Sequence, residues 1–249
     1  MIDNMVQRKV PKRKNTFAFF KFLPVLMVFF VFGVFFLFNR VGIQDDYFFI
    51  IFLLIVLPFA IGVNFLEWKN WRKKWREFAE RSGFTYEEYQ QSFSKWARVK
   101  GSYRGYPFKV EKFVRGSGRY KKAYTSIKIA LREKPGGVLE ISARSVFSGL
   151  GKAFYSSKKI LQYVELGDVE LDGELVIKST SEQFTRNALS SMGVRQGLMD
   201  IRSQTPSMQL KLGDGELYYH ELSVITDGEY LSAVINLLVE LAEIAGRYR

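Results

Sequence analysis

Two uncharged apolar runs, Phe22–Phe38 and Tyr47–Val63, dominate the hydropathy pattern, each 17 residues long. At about 1.5 Å of rise per helical residue, each falls slightly short of a hydrocarbon core about 30 Å thick. Phe17 to Phe20, beyond a Lys21 able to snorkel, lengthen the first, and Asn64 to Leu66 lengthen the second. The pattern therefore predicts two transmembrane helices, 17–38 and 47–66. Next, Trp68, Trp71, Trp75 and Phe78 recur at intervals of three and four, the spacing of one helical stripe over 67–83, with Ser82-Gly83 as its stop.

From 84 to 249 the period shortens. Val99–Tyr103, Pro107–Val114, Ala123–Arg132 and Val138–Ala143 read as strands, the last two joined as a hairpin through Lys134-Pro-Gly-Gly137. A second hairpin pairs Ser207–Leu212 with Glu216–Leu222 across Gly213-Asp-Gly215. Thr180-x-x-Gln183 and Thr226-x-x-Glu229 match capping boxes. The second opens a long helix whose stripe, Leu231, Val234, Ile235, Leu238, Leu241, Ala242 and Ala245, is widened by Val239 and Ile244. Burial against the sheet explains that width, and contact with a second copy or a membrane-complex partner is the alternative. The predicted class is α+β: an N-terminal transmembrane helical hairpin, then a mainly antiparallel-sheet cytoplasmic domain with a long C-terminal helix.

Charge sets the orientation. Arg8, Lys9, Lys12, Arg13 and Lys14 precede the first run, within a basic N-terminus over 1–16, and Lys69, Arg72, Lys73, Lys74 and Arg76 follow the second. The loop between holds one cation, Arg40, beside Asp45 and Asp46. Both termini are therefore expected on the cytoplasmic side of a cell (inner) membrane. No small-x-small site follows Phe38, which argues against a cleaved signal peptide. The formal charge of +12 divides as +4 over 1–66, +10 over 67–122 and −2 over 123–249. An anionic leaflet accounts for a membrane-proximal excess, and the acidic remainder argues against nucleic acid as a partner.

The juxtamembrane helix is read as an interfacial collar, with Trp68, Trp71 and Trp75 at headgroup level among Lys69, Arg72, Lys73, Lys74 and Arg76. Packing of the same stripe on the domain or on a second subunit is the alternative. Arg115-Gly-Ser-Gly-Arg119-Tyr-Lys121-Lys122 gives a second cationic feature, a hairpin tip lacking P-loop spacing, with Arg115, Arg119, Lys121 and Lys122 as a candidate anionic-ligand or headgroup loop.

The chain has no cysteine and one histidine, His220. That excludes disulfides, thiolate chemistry and multi-histidine metal sites, and leaves a structural role for His220 on a strand face with Tyr218 and Leu222. Asp168, Glu170, Asp172 and Glu174 alternate along what reads as an edge strand, whose solvated face explains them better than a metal site. No cofactor is expected.

The run Gly167-Asp168-x-x-Leu171-Asp172-x-x-Leu175-x-Ile177, preceded by Gly101-Ser-Tyr-Arg-Gly105-Tyr-Pro107, resembles a group of uncharacterised prokaryotic two-helix membrane proteins with a cytoplasmic α+β domain of unknown function. Their usual pattern has phenylalanine where this chain has Leu171 and Leu175. The resemblance spans 67–249 in outline and implies the same anchor-plus-domain plan, without an activity. The expected role is a membrane-anchored binding or scaffolding module and not an enzyme. A non-catalytic subunit of a larger membrane complex, for transport, secretion or the envelope, is the alternative, with an enzyme third.

Overall fold

In a computed structural model, the structure describes residues 10–13, 33, 36, 40, 69–91, 94–116, 121–144 and 161–248. The chain divides into two units, one of 1–13 with 74–249 and one of 14–73. Of the second unit, positions 33, 36 and 40 and the stretch 69–73 are described, all of them helical.

The elements run in order as α1 (69–82), β1 (Thr85–Gln91), β2 (Ser94–Tyr103), β3 (Tyr106–Arg115), β4 (Lys122–Ala130), β5 (Leu139–Ala143), β6 (Gln162–Tyr163), α2 (Val169–Glu174), β7 (Leu175–Ser179), α3 (Glu182–Ala188), α4 (Met192–Gln204), β8 (Gln209–Gly213), β9 (Glu216–Leu222) and α5 (Gly228–Gly246). Among the described residues the nine strands form one sheet in the order β1-β2-β3-β4-β9-β8-β5-β7-β6, every neighbouring pair antiparallel. Alternate strand residues build the core: Val99, Val110, Ile127, Tyr219, Leu210, Ile141 and Ile177 are all buried. Over this face lies α5, packed on β2, β4 and β9 and in contact with α3 and α4, of which α3 also packs on β7. The width that Val239 adds to its apolar stripe is thus buried within the chain. A Cβ on Gly197 would come within 2.7 Å of a Leu237 methyl, so α4 and α5 meet where a side chain is missing.

The tight turns follow their residues. Arg104-Gly105 and Asp214-Gly215 take paired positive φ values, 50° with 76° and 52° with 83°, as two-residue hairpins of a right-twisted sheet require. Gly83, at φ 68°, ends α1 as expected.

Four expectations are corrected. Among the described residues no helix is long and apolar enough to cross a membrane. The transmembrane hairpin therefore does not stand as part of the fold, nor does the multi-pass inner-membrane placement built on it, whereas the α+β class holds. The longest described helix, α5, carries Glu229, Glu240 and Glu243 along its 19 residues, too many charges for an apolar span. The runs 17–38 and 47–66 themselves lie outside the described residues except for positions 33 and 36.

Second, β4 and β5 are not a hairpin. β4 pairs with β3 and β9, and β5 with β7 and β8, so the β8–β9 hairpin wedges between them. Third, the acidic edge strand is the helix α2. The Asp168 carboxylate accepts the Leu171 amide at 3.1 Å and Asp172 accepts the Gly167 amide at 2.9 Å, a local bonding that competes successfully with extension. Fourth, both capping boxes slip by one residue, to Ser181 and Asp227. Thr180 instead accepts the Val138 amide at 2.9 Å.

Candidate functional site

Two arrangements concentrate the unassigned chemistry, one inside the core layer and one on the opposite face of the sheet. The first is centred on Glu221 of β9, which is 0% exposed. Its Oε2 accepts the hydroxyls of Tyr219 at 2.7 Å and Tyr230 at 3.1 Å, and its Oε1 accepts Arg13 Nη1 at 2.7 Å. Arg13 Nη2 donates to Ser223 Oγ at 2.8 Å and to the Val224 carbonyl at 3.0 Å. Upstream the Val10 amide donates to Asp200 at 2.9 Å, and the Arg13 amide to Gln204, both on α4. The segment 10–13, expected as a basic flank, is thus a strap on the folded domain.

Burial drives the Glu221 carboxyl above its ordinary range, opposed first by the charge of Arg13 and then by the donated hydrogen bonds. Tyr219 and Tyr230 are raised as well, by burial first and then by the carboxylate beside them.

The loop that receives Arg13 also receives α1. Trp75 is 1% exposed, and its indole N–H donates to the Ile225 carbonyl at 2.6 Å. Thr125 braces the same loop, donating to the Ser223 carbonyl at 2.9 Å and accepting the Ile225 amide at 2.8 Å. Arg13 and Trp75, which flank the excursion 14–73, therefore end on consecutive carbonyls.

The second arrangement follows from register. Residues directly opposite in neighbouring strands share a face. Lys100 lies opposite Lys109, Lys109 opposite Lys128, and Lys128 opposite Tyr218. The row continues from Tyr218 to Lys211, Glu140, Lys178 and Tyr163. It thus crosses eight strands on the face away from α5 and contains five lysines. Carboxylates flank it: Glu87 stands 2.9 Å from Lys100, Glu111 2.8 Å from Lys109, and Glu216 pairs with Lys128. Lys100 and then Arg98 hold Glu87 below the usual carboxylate range through hydrogen bonds. Glu216 is also lowered: burial works to raise it, and the bonds from Lys128 and Tyr218 outweigh that. Lysine ammoniums stack over Tyr218 at 5.0 Å and Tyr163 at 4.8 Å. The ion-paired lysine and glutamate side chains of the row and its flanks keep 16 to 41% of their surface, within reach of a ligand.

His220 sits in the next row, opposite Ser126 and Gln209, with Phe113 edge-on at 5.2 Å. Desolvation lowers its pKa from 6.5 to about 4. A depressed basic group contributes stability that is present above pH 6.5 and lost as pH falls through 4, on the order of 3 kcal/mol for a shift of this size. Urea unfolding of the native chain and of His220→Gln at pH 7.5 and pH 4 should therefore converge towards acid pH by about that amount. Parallel curves would show that His220 is not buried neutral.

The residues singled out from the sequence fall apart in space. Trp71 is 2% exposed and Trp75 is a core side chain, so the packing alternative describes Trp75. Lys74 pairs with Glu77 at 3.4 Å, and Arg76 with Glu88 at 2.9 Å while lying over the Tyr86 ring. Arg72 is buried, and Lys69 and Lys73 are exposed. Trp68 and Arg119 lie outside the described residues. Arg115 stands opposite Lys122 at the β3–β4 end, with Lys121 and Lys122 exposed. No group of His, Asp and Glu able to hold a metal occurs among the described residues, Asp168 to Glu174 included.

The clasp and the lysine row were missed because no local signal carries either. The lysines do alternate with apolar residues in each strand, but only pairing aligns them, and Arg13 is 208 residues from Glu221. No protein-family model matches the chain, and no curated protein matches it. Among solved structures, the chain is similar to the crystal structure of the mycobacterial trehalose monomycolate transport factor A, TtfA, at 11% identity and a TM-score of 0.46, covering 72% of this chain and 97% of that one.

Proposed function

We propose that the chain acts as a binding or scaffolding base, holding a partner and the excursion 14–73 rather than transforming a substrate. The observation that supports this reading is the shared anchorage of Arg13 and Trp75 on the carbonyls of Val224 and Ile225, at 3.0 and 2.6 Å. A chain that departs and returns at one braced loop has both ends of the excursion fixed by the same few bonds. Loss of either end raises the conformational freedom of the excursion without unfolding the sheet.

The chain has no cysteine, so spin labels can be placed cleanly at Lys12→Cys and Lys74→Cys. A single narrow distance is expected for the native background and a broad distribution for Arg13→Ala. The role itself is tested by quantitative mass spectrometry of native complexes. A binding base yields a partner at stoichiometric ratio whose recovery falls in Arg13→Ala, and a chain recovered alone in both forms sinks the reading.

A further inference from the structure

The lysine row is the feature of this fold that stability does not explain. Like charges directly opposite in a sheet are unfavourable, and Lys100, Lys109 and Lys128 are consecutive neighbours across β2, β3 and β4. The flanking glutamates relieve that repulsion, but the pairs remain partly open to water, where a ligand carboxylate can compete for the same lysines.

We infer that this sheet face binds an extended acidic peptide segment of a partner protein, laid across the strands with its carboxylates over Lys109, Lys128 and Lys211. The inference rests on the binding reading above and names the partner's chemistry.

Geometry selects a peptide over the other anionic partners. From β2 to β7 the row takes six steps in the strand order, about 29 Å at the spacing of paired strands. Sheet twist of about 20–25° per step turns the row through roughly 120–150° over that span. A planar bilayer can touch only part of such a row, whereas a flexible segment of about nine extended residues follows it. A nucleic-acid strand would set a phosphate at every repeat, against Glu111, Glu140 and Glu216 as well as the lysines. A peptide can place acidic residues over the lysines and neutral or basic ones over the glutamates.

Fluorescence anisotropy of the full chain with a labelled ten-residue peptide that alternates glutamate with serine tests this, since its neutral positions can lie over the glutamates of the row. Binding that weakens with salt is expected, with Lys109→Gln/Lys128→Gln/Lys211→Gln reducing affinity about tenfold. The charge-matched control Lys121→Gln/Lys122→Gln/Lys134→Gln removes three exposed lysines elsewhere and should leave most of the affinity. Glu111→Gln/Glu216→Gln strips competing carboxylates and should tighten binding. Thermal melts confirm that each variant folds.

Absence of binding, equal losses in the two triple variants, or no gain in the glutamate variant overturns the inference. So does tighter binding of a ten-residue oligothymidine or of anionic phospholipid vesicles, since either would make a phosphate ligand the better fit. A stoichiometric partner that binds elsewhere would leave the scaffold reading intact while removing this one.

Discussion

Glu221→Ala is expected to destabilise the fold by about 3–5 kcal/mol, the range for breaking a buried charged pair by removing one partner. The carboxylate is 0% exposed and accepts from Arg13, Tyr219 and Tyr230. Its loss leaves two buried hydroxyls without that acceptor and a guanidinium without its counter-charge. Arg13 can turn towards water, because its side chain already keeps 16% of its surface exposed. The tyrosines cannot, because β9 and α5 fix them in the core. Urea unfolding reads the effect, and a loss below about 1 kcal/mol would show that the cluster is not a stabilising unit.

Arg13→Ala probes the same cluster through pH. The folded Glu221 carboxyl is already raised by burial, and Arg13 is the strongest opposing influence. Without it the carboxyl rises further. For an acid raised on folding, the unfolded chain releases its proton first. The stability it contributes is then fully present below the unfolded value of 4.5 and is lost as pH rises through the folded value. The deficit of Arg13→Ala against the native chain should accordingly grow from pH 4.5 to pH 8. A constant deficit would mean that Arg13 does not shift the Glu221 carboxyl.

Trp75→Ala is expected to cost about 3–5 kcal/mol, the usual range for truncating a core aromatic. The side chain is 1% exposed and supplies the bond that closes α1 on Ile225. Three residues on, Phe78 continues the same packing, with its ring 5.8 Å from Phe84, which in turn meets Phe108 edge-on at 4.7 Å. Trp75→Phe keeps most of the apolar area but not the indole donor, and should lie between alanine and the native residue. A headgroup collar would behave differently: exposed aromatics contribute little to unfolding free energy in buffer. Variants indistinguishable from the native chain in urea would return Trp75 to the surface.

Local physics was legible along the chain. Strand periodicity in 107–114 and 216–222, the Gly213-Asp-Gly215 hairpin, the stop at Gly83 and the apolar stripe of α5 depend on near neighbours, and each lies in the structure close to where the pattern put it. Local reading failed where two nearby signals competed. The alternating acids of 168–174 fit a strand by period, yet the side-chain bonds of Asp168 and Asp172 close a helix there. Strands β1 and β7 and helix α4 gave too weak a pattern to be drawn at all. Some were short, and α4 mixes Arg195, Gln196, Asp200 and Arg202 with few apolar positions.

Strand order and the two candidate sites belong to the tertiary structure. Lys134-Pro-Gly-Gly137 is good turn chemistry, but a turn cannot dictate a neighbour, and pairing both edges of the β8–β9 hairpin, with β4 and with β5, outweighs a local pairing. The lysine row exists because six independent registers align, and a one-residue slip in any strand would send its residue of the row to the core face. The clasp exists because Arg13 reaches a carboxylate 208 residues away. Sequence alone determined which residues alternate, turn and cap, since those depend on bonds a few residues long. Which lysines stand together, and which arginine meets the buried acid, was decided only when distant strands paired and the core excluded water.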